Sequence, residues 1–87
     1  MDKLYYVELF RCSSTNHCYW FKVFSSENSA KELYRKVLEI EAFDKVPNYK
    51  ELSNNELCDA ILNYIRGNGM EFDYEFYLDC DVLEVHD

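Results

Sequence analysis

Apolar and polar positions alternate with period two at both ends of the chain and repeat at helical spacing between them. Residues 4–12 and 18–24 read as two β-strands joined by the polar turn Ser13-Ser14-Thr15-Asn16-His17. Placing Cys12 opposite Cys18 puts Glu8 across from Lys22, an opposite-charge cross-strand pair. On that register one face carries Tyr5, Val7, Leu9, Tyr19, Phe21 and Val23 and is the expected core side. The other carries Tyr6, Phe10, Trp20 and Phe24 around the Glu8–Lys22 pair, more aromatic than a solvated surface needs to be.

Residues 26–42 follow as a first helix, with Ser26 or Ser29 as its cap and Ser29/Glu32 at capping-box spacing. Ala30, Leu33, Tyr34, Val37 and Ile40 form its apolar stripe. Residues 43–52, with Pro47 and Asn48, make the longest connection. Ser53 and Glu56 form a second capping box, opening a helix buried through Leu57, Ile61, Tyr64 and Ile65. Gly67 is placed to terminate it, and Asn68-Gly69 turns the chain. Over residues 70–78, Met70, Phe72, Tyr74, Phe76 and Leu78 alternate with Glu71, Asp73, Glu75, Tyr77 and Asp79, the pattern of a half-buried strand. Residues 82–85 continue it past a bend or form a short fourth strand. The expected fold is α+β: an antiparallel sheet of three to four strands with two helices, in the order ββααβ(β), in a single domain over residues 1–87.

Composition supports folding, with 17% aromatic residues and only three Gly or Pro among 87. No apolar run reaches bilayer length, and Met1-Asp2-Lys3 leads into a strand without a signal-peptide pattern. A cytoplasmic location is therefore expected (the host cytoplasm if a phage encodes the chain), with no membrane partner. Cys12, Cys18, Cys58 and Cys80 are then expected as free thiols, and whether Cys12 and Cys18 pair on oxidation is left open.

Charge changes the picture most. The net charge is −8, yet residues 1–66 hold ten acidic and nine basic side chains. Residues 67–87 hold seven acidic ones and no Lys or Arg. A row of carboxylates from Glu71, Asp73 and Glu75, about 6.8 Å apart along one face of a strand, with Asp79, Asp81 and Glu84 beyond, is the candidate partner-binding surface. Such a row repeats at about every second phosphate of a DNA strand, so it suits a cationic groove and repels nucleic acid itself. The plainer reading is an outer sheet face kept acidic for solubility and to deter edge pairing. The alternative partner surface is the aromatic set Tyr6, Phe10, Trp20 and Phe24, which would also serve a homodimer.

Catalytic chemistry finds little support. His17 and His86 stand near no nucleophile motif, and no Lys or His accompanies the carboxylates of the acidic segment. Cys12, His17 and Cys18 fit no common zinc spacing, and Asp79-x-Asp81 lacks the Gly and distal Glu of a calcium loop. No enzyme activity, catalytic residue, metal or cofactor is expected. In size, acidic end and lack of catalytic groups, the chain resembles the small acidic inhibitors encoded by phages and mobile elements, including anti-CRISPR proteins, some of which imitate DNA. That resemblance implies a basic, nucleic-acid-handling partner: an RNA-guided nuclease complex such as a CRISPR effector, a restriction enzyme or a similar machine. An immunity protein or antitoxin covering a basic toxin would need the same electrostatics. An adaptor module using the aromatic face is the remaining alternative.

Overall fold

The computed structural model describes residues 3–13, 17–69 and 74–83. The chain runs β1 (Leu4–Ser13), β2 (His17–Phe24), α1 (Glu27–Ala42), a 3₁₀ turn (Tyr49–Glu51), α2 (Asn54–Gly67) and β3 (Tyr74–Leu83). The three strands form an antiparallel sheet in the order β2-β1-β3, so the first strand is central. Both helices lie against the same side of it. The fold is α+β in the order ββααβ. β3 continues without a break through Val82 and Leu83, while residues 84 and 85 of the expected extension lie outside the described residues.

Both helices begin where hydroxyl caps occur. Ser26 accepts the Ser29 amide of α1, so Ser26 is the cap and Ser29 lies within the first turn. Ser53 and Glu56 form the reciprocal capping box of α2. That helix runs two residues further than Gly67 as its terminator suggests. Asn68 is its C-cap, and Gly69 takes the left-handed conformation, φ 66°, that lets the chain leave.

Leu38, Ala42, Val46, Leu57, Ile61 and Ile65 form the buried centre, with Tyr74, Phe76 and Leu78 of β3 packed onto it. From β1, Val7 and Leu9 are buried on the helix side. The α1 stripe is as expected at Ala30, which is buried, but is rotated towards its C-terminal end: Leu38 and Ala42 are buried, whereas Ile40 is 63% exposed. The rotation brings Glu41 inward. Glu41 is 4% exposed and receives Arg11 of β1 at 3.1 Å, Lys45 at 3.2 Å and the Tyr74 hydroxyl of β3. A buried carboxylate needs such partners, since an uncompensated charge costs several kcal/mol. Arg35 fastens the long connection, donating to Asn54 Oδ1 at 3.1 Å and to the Tyr49 carbonyl at 3.2 Å.

The hairpin register differs by one residue from the expected one. Cys12 pairs with His17, not Cys18, and Val7 pairs with Lys22 in place of Glu8. β1 extends to Ser13 and β2 begins at His17, so four residues, not five, separate Cys12 from its partner. A one-residue slip turns every side chain of β2 to the opposite face. Trp20 and Phe24 therefore lie on the helix side, beside Leu9 and Tyr5, and Tyr19, Phe21 and Val23 lie on the outer side. Cys12 and Cys18 point to opposite faces, so they are not placed for a cross-strand disulfide.

Candidate functional site

Among the described residues, no helix covers the outer face of the sheet. Its side chains follow from the pairing, because residues directly opposite in an antiparallel ladder point the same way. Four cross-strand rows result, each read from β2 through β1 to β3: Val23–Tyr6–Asp81, Phe21–Glu8–Asp79, Tyr19–Phe10–Tyr77 and His17–Cys12–Glu75. Among the described strand residues, this face carries no Lys or Arg. Tyr19 is 56%, Tyr77 51%, Val23 47% and Phe21 44% exposed, more apolar surface than a merely solvated sheet needs.

The rings and carboxylates are interlocked. Tyr6 stacks on Phe21, with ring centroids 5.3 Å apart and planes within 18°. The Tyr6 hydroxyl donates to Asp79 Oδ2 at 2.7 Å, and the Tyr19 hydroxyl donates to Glu8 Oε2 at 2.8 Å. Phe10 meets His17 edge-on at 5.5 Å. Glu8 and Asp79 stand directly opposite each other, an arrangement of like charges that destabilises a sheet. Only phenol hydroxyls, not cations, offset it among the described side chains.

The negative field registers in the tyrosines. The hydrogen bond to Asp79 pushes the Tyr6 phenol up to about 12. Tyr19 is raised by its hydrogen bond to Glu8, and Tyr77 by the nearby charge of Asp79. All three phenols stay protonated at neutral pH and remain hydrogen-bond donors.

The two surfaces expected as rivals are thus partly one surface. From the acidic set, Glu75, Asp79 and Asp81 lie on the outer face; Glu71, Asp73 and Glu84 lie outside the described residues. From the aromatic set, Tyr6 and Phe10 lie on the same outer face. Trp20 and Phe24 do not, because the register turns them towards the helices. Tyr77 stands between Glu75 and Asp79, so the described acids do not form an unbroken row.

Sequence reasoning placed Glu8 on this face with Tyr6 and Phe10 but missed Tyr19, Phe21 and Val23 as its members. It paired Glu8 with Lys22, whereas Lys22 lies on the other side, its ammonium 5.1 Å from the Trp20 ring. The hidden signal was the length of the hairpin connection. A second exposed apolar spot lies at the end of α1, where Ile40 and Phe43, the latter 72% exposed, neighbour Tyr49.

Among the described residues no group of His, Cys, Asp and Glu is arranged to hold a metal ion, and no helix is long and apolar enough to cross a membrane. Comparison with protein-family models, curated proteins and solved structures finds no match.

Proposed function

We propose that this protein is a non-enzymatic inhibitor whose outer sheet face covers a basic surface of another protein. The partner is of the nucleic-acid-handling kind, a CRISPR effector being one example, and inhibition comes from occupying its nucleic-acid groove. One observation carries the reading: an exposed face with Glu8, Glu75, Asp79 and Asp81 and no Lys or Arg among its described strand residues. Such a face attracts a cationic surface and repels phosphate, so the partner is a basic protein and not nucleic acid. An immunity protein or antitoxin that covers a basic toxin would use the face in the same way.

The test is capture from cell lysate at low salt by the wild-type protein and by a variant with Glu8, Asp79 and Asp81 all changed to Lys. The expected result is a basic protein held by the wild type after nuclease treatment, displaced by added duplex DNA or RNA, and absent with the variant. Equal capture by both proteins would sink the proposal. So would release on nuclease treatment, which would show that nucleic acid bridges the two.

A further inference from the structure

The rows of the outer face differ across its width. The β2 side presents Val23, Phe21 and Tyr19 above His17, and the β3 side presents Asp81, Asp79 and Glu75 around Tyr77. The outer strands of a three-stranded sheet are only about 10 Å apart, roughly the diameter of one α-helix. A single segment of a partner therefore meets the apolar side and the acidic side together. We infer that this face is specific for a protein segment with arginines along one side and an apolar ridge beside them, and does not take polycations at large. The inference rests on the proposed binding role and names the chemistry of its partner.

Arginine is favoured over lysine by what surrounds the carboxylates. Asp79 is hydrogen-bonded to Tyr6, whose ring is stacked on Phe21; Glu8 is hydrogen-bonded to Tyr19. Each carboxylate thus has an aromatic ring fixed beside it. A guanidinium is planar and weakly hydrated, so it can lie on a ring and donate to the adjacent carboxylate at once. A lysine ammonium keeps its water more tightly and is served as well by a carboxylate alone. A second copy of the chain is a poor occupant, since its own face would bring four more described carboxylates and no cation from its described strand residues.

Three synthetic peptides of equal length and charge separate the possibilities by calorimetric titration at low and high salt. One carries an arginine stripe beside a leucine stripe, one has lysine for arginine, and one has serine for leucine. The first should bind tightest, the other two at least about tenfold more weakly, which is about 1.4 kcal/mol each. Its advantage over the serine peptide should persist at high salt and disappear in Phe21→Ala. Its advantage over the lysine peptide should shrink in Glu8→Gln. Emission from Trp20, on the opposite face, reports whether each variant is folded; Phe21→Leu replaces Phe21→Ala if it is not. Equal affinity for all three peptides would overturn the inference and leave the proposed function standing. Failure of every peptide, and of oligoarginine, would overturn both. Sedimentation that speeds up with protein concentration, and slows again in Phe21→Ala, would assign the face to a second copy and overturn the inference alone.

Discussion

On the helix side of the sheet the buried anion is met by cations, while on the outer side the anions are met by phenols. Glu41 has Arg11 and Lys45 within 3.2 Å; Glu8 and Asp79 have the hydroxyls of Tyr19 and Tyr6. The first arrangement neutralises charge inside the fold, where an unmatched carboxylate would be costly. The second leaves negative charge in place at the surface, where water tolerates it and a partner can exploit it. Neighbouring residues of one strand therefore do different work according to which way they point.

Substitutions can break or sharpen that contrast. Glu41→Ala strands Arg11 and Lys45 without their anion and should cost about 3–5 kcal/mol, read as a lowered midpoint in urea. Next, adjacent positions of β1 should diverge. Leu9→Ala, at 8% exposure on the helix side, should cost roughly 2–4 kcal/mol. Phe10→Ala on the outer face should cost roughly 1 kcal/mol, mainly its contacts with neighbouring rings. Equal costs would show that the outer face is also core.

Glu8→Gln should have a smaller effect of opposite sign. It relieves the like-charge pair with Asp79 and should stabilise the fold by about 0.2–1 kcal/mol while weakening partner binding. A gain in stability with unchanged binding would separate Glu8 from the docking role.

The least effect concerns alkali. The Tyr6 phenol titrates near 12 in the fold against about 10 when unfolded, so the folded state holds its proton more tightly. Its contribution is complete below pH 10 and is lost as pH rises through 12. Burial also raises the Tyr34 phenol, so spectrophotometric titration should show several late-ionising phenols and one fewer in Tyr6→Phe.

Much of this architecture was legible from the residues. Ser53 and Glu56 announce α2 through a cap that needs no tertiary information, and the alternation from Tyr74 to Leu78 fixes which side of β3 meets the helices. The hairpin register was not legible. Both parities of β2 present aromatic residues, Trp20 and Phe24 on one and Tyr19 and Phe21 on the other, so hydrophobicity alone does not choose between them. The choice falls to the connection, where one residue decides. Nor did the helical pattern reveal Glu41 as buried, because the reason lies in Arg11 and Tyr74, distant in sequence. The acidic character of the candidate site was visible in the charge count. Its aromatic half depended on the register.

The central position of β1 also bears on how the chain finds its fold. Its pairing with β2 is local and closes on the microsecond scale typical of hairpins. Its pairing with β3 joins Leu4 to Leu83, so two helices must be spanned before that ladder forms. Closing so long a loop carries an entropic cost that only the assembled core repays, which makes this step the expected kinetic bottleneck. Stopped-flow refolding followed through Trp20 should then show Leu78→Ala slowing folding, whereas Val23→Ala, on the outer side of the hairpin, leaves the rate nearly unchanged.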